Sequence, residues 1–208
     1  MLKKLGRLTK INQVNGQSDE GRDVPPGQFV TDKFPVLSYG PTPKIDLNEW
    51  RFRVFGLVDG EVTLDWKQFK DLPQTTLDAE FHCVTQWSNL HNTWGGVLFN
   101  DVLKLVQPKP EASFVMLHCY GGYTTNLPLE IVTDNDVLFA RTHDGKALEP
   151  EHGAPLRFVV PKRYAWKSAK WVNGLEFMAE DRPGFWEVRG YHNDGDPWKE
   201  QRFWDSLT

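Results

Sequence analysis

In "WRFRVFGLVDGEVTL" Trp50, Phe52 and Val54 alternate with Arg51 and Arg53, and Asp59-Gly60 follows a few residues on. A period of two puts the aromatic side chains on one face of a strand and the arginines on the other, and Asp-Gly is a hairpin turn. The stretch commits the chain to half-buried sheet. The segment before it, "FPVLSYGPTPKIDLNEW", carries three prolines, which hold it extended and exclude helix. In "LDWKQFKDLP" Trp66, Phe69 and Leu72 are three apart, which predicts a short helix stopped by Pro73. "QTTLDAEFHC" reads as strand again. A polar loop and "TWGGV", read as a turn, then lead into "LFNDVLKLV", where Leu98, Val102 and Leu105 share a helical face.

Further on, "ASFVMLHCY" is a strand, "GG" a turn, "LPLEIVTDND" a short irregular or helical piece, and "VLFA", "LRFVV" and "KWVNGLEFM" are strands. No repeats, heptads or regular strand-helix crossovers occur. The pattern predicts an α+β fold of mixed strands with short helices. With 208 residues, 39% of them hydrophobic, the chain suits one core. Residues 29–208 are read as one domain, and the polar residues 1–28 as a tail that is loose or wraps it.

A formal charge of −4, with no basic block beyond the first ten residues, argues against nucleic acid as a partner. No secretory signal or eighteen-residue apolar run is present, so the expected setting is the cytoplasm, without a membrane segment. There the two cysteines stay reduced and available for chemistry. Nine tryptophans and thirteen phenylalanines either fill a core of strands or line a large flat ligand.

Three stretches could carry chemistry. Cys83 in "AEFHCVTQWSNLHNTWGGV" stands at the end of a strand and before a loop, where a thiolate could ligate a soft metal; a buried apolar cysteine is the alternative. Cys119 falls on the Val115 and Leu117 face of its strand and is assigned to the core. In "EHGAPLRFVVPKRYAWKSAKW" Arg157, Lys162, Arg163, Lys167 and Lys170 lie near Gly153, two prolines and Ser168. Such a cluster suits a single phosphate or pyrophosphate and lacks the glycine spacing of nucleotide loops; a solvated basic loop is the alternative. The third, "DRPGFWEVRGYHNDGDPWKEQRFW", reads as a structured loop in which Tyr191 and His192 could face a site.

In this order the three stretches resemble the molybdopterin-binding domain of the sulfite oxidase family, above all short bacterial proteins made of that domain alone. The block "HGAPLRFVVP…SAKW" is similar to the family's His-Gly-x-Pro-x-Arg-x-Val-Val-Pro followed by Val-Lys-Trp. The resemblance covers roughly residues 29 to 208. It implies that Cys83 is the thiolate ligand of molybdenum beside the dithiolene sulfurs of molybdopterin, and that His152, Arg157 and Lys170 hold the pterin and its phosphate. The turn around Lys167 and Ser168 would add cofactor contacts. Tyr191 after "FWEVRG" matches the active-site tyrosine, and Tyr39 in "LSYGPTP" a pterin-contacting position.

Sulfite oxidases place arginines where this chain has Leu37 and Trp87-Ser88, so the implied pocket is more apolar than theirs. The implied activity is two-electron oxygen-atom transfer on a small substrate, either S-oxide or N-oxide reduction or oxyanion oxidation. No Cys-x-x-Cys-His heme site is present, so electrons are expected to pass to or from a separate ferredoxin, cytochrome or flavin reductase. Two other classes stand beside this reading: a non-catalytic molybdopterin-binding or carrier domain, and a cysteine-dependent hydrolase pairing Cys83 with His82 or His91. Neighbouring side chains on a strand face opposite ways, which disfavours Cys83 with His82.

Overall fold

The alternation of Trp50, Phe52 and Val54 becomes the strand Arg51–Gly56, whose Phe52 and Val54 are fully buried while Arg51 and Arg53 face water. The protein's computed structural model describes residues 23–204. Predicted features of residues 1–22 and 205–208 lie outside the described residues. Arg51–Gly56 turns back through Asp59-Gly60 to pair antiparallel with Val62–Asp65. On its other edge it pairs parallel with Val172–Met178. Phe114–Cys119 and Thr124–Pro128 extend that sheet antiparallel to five strands. The helix Trp66–Lys70 is capped by Asp65, which accepts from Gln68 N–H at 2.8 Å, and it buries Phe69.

A second sheet joins Thr75–Asp78, Thr93–Leu98, Leu138–His143 and Lys146–Ala147, with Arg157–Val159 also paired to Leu138–His143. Rings from both sheets meet in the main core: Phe52 and Phe139 lie 5.1 Å apart, edge to face. Cys119 is buried there with Val115 and Leu117, as its place on the strand predicted. A smaller cluster joins Phe81, Cys83, Trp87, Trp94 and Val159. Among the described residues no helix is long and apolar enough to cross a membrane.

Three sequence expectations differ from the structure. "QTTLDAEFHC" is not one strand: it breaks at Ala79-Glu80, and Phe81–His82 leaves the second sheet to pair with Trp87–Asn89 in a small third one. "TWGGV" is not a turn but the middle of Thr93–Leu98. Its glycines permit close strand packing, since a Cβ at Gly96 would overlap the Phe139 carbonyl oxygen and one at Gly95 the Thr142 hydroxyl. The helix after it is only Phe99–Leu103, because Leu98 still belongs to the strand. Gly96→Ala is expected to cost about 2–3 kcal/mol by overpacking, read from urea unfolding; an unchanged midpoint would contradict the close approach.

Phe29–Val30 completes the third sheet, running parallel to Trp87–Asn89. Just before it, Pro25 is buried and Gln28 Nε2 donates to the Cys83 carbonyl at 3.2 Å, so residues 23–28 wrap onto the fold beside Cys83.

Candidate active site

Cys83 follows the strand Phe81–His82 and opens a four-residue turn. Gln86 N–H donates to Cys83 O at 3.0 Å and Cys83 N–H to Trp87 O at 2.9 Å, with Gln86 in the left-handed region at φ 75°. The turn puts the sulfur on the wall of a cavity of about 700 Å³, where Cys83 is 4% exposed. Burial pushes its thiol pKa up. The Thr85 hydroxyl, donating to Sγ at 3.2 Å, opposes this, as do the N–H groups of Thr85 and Val84 and the charge of Arg202.

The same cavity receives Arg157 from its strand, Lys170 from the facing bridge and His152 from the 3-10 turn Pro150–His152. Gly153, at φ 112°, lets these come together, because a Cβ there would press on the Arg157 and Lys170 side chains at 3.0 and 3.1 Å. Arg157 donates to His152 O at 3.0 Å and Ser168 O at 3.1 Å, and its Nε is buried without a partner. The rings of Phe34, Phe81 and Trp94 surround its guanidinium at 5.0–5.5 Å. Lys170 donates to Leu37 O at 2.8 Å, to Glu151 O at 2.9 Å and to the Ser38 hydroxyl. His152 stacks on Phe34 at 4.4 Å.

Burial holds Arg157 down to about 9. Burial and the neighbouring Arg157 hold Lys170 down to about 8, and His152 is lowered by burial and by both cations.

Among the described residues neither Arg157 nor Lys170 has a carboxylate partner. The other three cations of the basic stretch do: Lys162 with Asp134 at 2.5 Å, Arg163 with Asp194 at 2.8 Å, and Lys167 with Glu187 at 2.7 Å. Lys167 is therefore not brought to the cavity. Its ammonium is fully buried against Glu187 and the Asn126 carbonyl, because a lysine on that face has no water to solvate it. Ser168 does line the cavity, with its hydroxyl accepting Val160 N–H at 3.0 Å.

Tyr191 lines the cavity between Trp166 at 5.0 Å and Trp186 at 4.9 Å, and burial followed by the nearby Cys83 raises its pKa, so the phenol keeps its proton. Tyr39 covers the mouth, 68% exposed, against Phe185 at 5.1 Å. Leu37 and Trp87 also line the cavity, whereas His91 and His192 do not. His192 Nδ1 accepts the N–H of Asp194 at 3.0 Å. His82 is turned to Ser88, at 2.8 Å from Nδ1, and to Glu80, so it does not pair with Cys83. Sequence reasoning missed Thr85, Phe34, Trp166 and Trp186; the position of Trp166 next to Lys167 and of Trp186 in the aromatic-rich stretch before Tyr191 was the one signal for the last two.

A site for a flat anionic cofactor needs a soft ligand, aromatic walls and cations without countercharge. The orphaned Arg157 Nε, the unpaired charges of Arg157 and Lys170 and the Cys83 sulfur on one aromatic cavity meet all three. Arg202 acts electrostatically on the Cys83 thiol, Cys83 on Tyr191, and Arg157 on Lys170.

Comparison with known proteins bears on this arrangement directly. The oxidoreductase molybdopterin binding domain family matches residues 39–186. An uncharacterized oxidoreductase of Bacillus subtilis, YuiH, is 48% identical over 191 residues, covering 91% of this chain and 96% of that protein. Sulfite oxidase of Arabidopsis thaliana is 30% identical over 201 residues, 78% of this chain, which spans only 51% of the plant protein. In fold the chain is similar to the sulfane dehydrogenase SoxCD of Paracoccus pantotrophus, with a TM-score of 0.61 and 24% identity over 67% of this chain and 40% of that one. The chain belongs to the oxidoreductase molybdopterin binding domain family, of the sulfite oxidase type, and is an oxidoreductase whose cofactor is molybdenum carried by molybdopterin.

Proposed function

We propose that residues 29–208 form one catalytic domain that reduces a small neutral S-oxide or N-oxide, with Cys83 as the metal's thiolate ligand. The observation that carries this reading is the shared cavity, which brings Cys83 together with the rings of Phe81, Trp87, Trp166, Trp186 and Tyr191 and with the unpaired cations Arg157 and Lys170. Arg157, Lys170 and His152 hold the phosphate end of the pterin, Ser168 shapes the turn beneath it, and Tyr39 closes over it. Lys167 keeps the wall in place through Glu187. Leu37 and Trp87, standing where sulfite oxidases carry arginines, put apolar side chains at those two positions and favour an uncharged oxide.

The bound metal supplies a two-electron change coupled to oxygen-atom transfer. Reduction of an S-oxide takes two electrons and two protons and yields a thioether and water. Tyr191, protonated and beside Cys83, donates a hydrogen bond to the substrate oxygen and so places it. The surrounding rings exclude bulk water. Electrons come from a separate ferredoxin, cytochrome or flavin reductase. Both cysteines are free thiols, in keeping with the cytoplasmic setting we assign.

The test is protein made in a host that synthesises the cofactor, assayed with a reduced or oxidised dye against methionine sulfoxide, an amine N-oxide and sulfite. Oxide turnover at least about tenfold above sulfite turnover is expected, the discrimination worth about 1.4 kcal/mol. Faster sulfite oxidation overturns the substrate assignment. Bound molybdenum that no donor or acceptor changes would leave a carrier domain.

The phosphate assignment has its own pH signature. With Lys170 at about 8, its charge is present below that value and lost above it, so affinity of the empty protein for a pterin phosphate falls as pH rises from 7 to 9. Titration calorimetry at several pH values measures this. Lys170→Met should weaken binding and flatten the dependence, and an unaltered pH profile in that variant would remove Lys170 from the phosphate site.

A further inference from the structure

Hydrogen bonds into a metal-bound thiolate withdraw electron density from the metal and raise its reduction potential. In the turn Cys83–Gln86 the Thr85 hydroxyl has the Cys83 sulfur as its acceptor, at 3.2 Å. The turn does not need that bond to close, because Gln86 N–H already reaches Cys83 O at 3.0 Å. The backbone of the turn is held from outside as well. Arg202 Nη1 donates to Val84 O at 2.6 Å, and in a planar trans peptide a carbonyl held outward turns the following N–H, that of Thr85, the opposite way. That N–H and the one of Val84 favour the charged form of the sulfur and oppose the upward push of burial. Gln28 Nε2 on Cys83 O, at 3.2 Å, adds a second donor to the carbonyl of the preceding peptide, which also accepts Gln86 N–H.

We propose that Thr85 is a positioning residue for the metal thiolate: its hydroxyl, set by the turn that Arg202 and Gln28 brace, orients the Cys83 sulfur and raises the reduction potential of the metal bound there. The proposal rests on Cys83 being the ligand. It assigns to this chain a tuning group two residues beyond the cysteine and specifies its chemistry, a hydroxyl and not a charge. Arg202 acts on the sulfur through the Val84 peptide and its field: it donates to Val84 O at 2.6 Å and Pro26 O at 3.3 Å, and among the described residues it makes no hydrogen bond to the sulfur.

The experiment compares metal-loaded parent, Thr85→Val, Thr85→Ala and Thr85→Ser by metal content, sulfur-to-metal charge-transfer absorption and dye-equilibrated reduction potential. Valine keeps the size and branching of threonine and removes only the donor. Thr85→Val and Thr85→Ala are expected to retain the metal and to shift the oxidised-to-reduced ratio at fixed potential about tenfold towards oxidised. That is about 30 mV downward for a two-electron couple. The charge-transfer band should move in both variants, and Thr85→Ser should stay with the parent.

Parent-like potentials in the valine and alanine variants overturn the proposal, as does a serine variant that shifts as far as valine. Loss of metal from both valine and alanine variants overturns it too, since Thr85 would then be required for loading and not for tuning. Cys83→Ala run alongside separates the two levels: metal retained in that variant defeats the ligand assignment itself, whereas metal lost there with no shift at Thr85 defeats only this inference.

Discussion

Lys167→Met lowers the unfolding free energy by about 3–5 kcal/mol, the usual cost of removing one partner from a buried ion pair. Both side chains of the Lys167–Glu187 pair are 0% exposed. Glu187 also accepts Trp166 Nε1–H at 3.0 Å and the Thr125 hydroxyl at 3.1 Å, but these neutral donors do not offset a buried negative charge, and its Oε2 has no partner. The single variant strands that charge. The double variant Lys167→Met with Glu187→Leu removes both charges together and should recover most of the loss, which urea unfolding of the two singles and the double measures as a double-mutant cycle. Additive costs, with no recovery, would show that the pair is not coupled. Because Glu187 holds Trp166 and begins the 3-10 turn Glu187–Arg189 that leads to Tyr191, the single variant should also loosen the tryptophan wall of the cavity.

Cys83→Ala is expected to abolish the metal: molybdenum falls from about one per chain to background, and dye-linked turnover drops more than about 100-fold, beyond what loss of a supporting group costs. The substitution removes one buried sulfur at the edge of an open cavity, so stability changes by only about 1 kcal/mol. Arg157 and Lys170 remain, and the variant should keep metal-free pterin. Cys119→Ala is the control. Its thiol is buried in the main core and pushed far up by burial, so that variant should lose stability and keep its metal. Metal analysis and melting of both variants decide the matter; full molybdenum in Cys83→Ala would refute the ligand assignment.

Period-two alternation carried much of the fold. Trp50 to Val54 and Val115 to Cys119 could be placed on their strands, and on the right faces, because alternation is a property of neighbours in sequence. The glycines of "TWGGV" could not, because glycine marks both turns and close contacts. The strand that decides between them, Leu138–His143, is distant in sequence. The break at Ala79-Glu80 was hidden for a related reason: both halves alternate, and only their different partners separate them.

At the site, residue type identified a basic stretch but could not sort its five cations. The sorting depends on Asp134, Asp194 and Glu187, which neutralise Lys162, Arg163 and Lys167 and leave Arg157 and Lys170 unpaired. Thr85 was illegible in the same way. A hydroxyl two residues after a cysteine means nothing until the turn folds it back on the sulfur.

The unpaired Arg157 and Lys170 also bear on the life of the protein before its cofactor arrives. Two neighbouring like charges, Arg157 buried and Lys170 half-buried, neither in a salt bridge among the described residues, make the empty chain the less stable species, and a bound anion relieves the repulsion. Thermal tolerance then reports occupancy: a preparation of mixed loading melts in two steps, and the lower one disappears as filling is completed. In a cell short of the pterin, quality control would meet chiefly the unfilled copies, and abundance of the enzyme would follow supply of the pterin with no change in its synthesis.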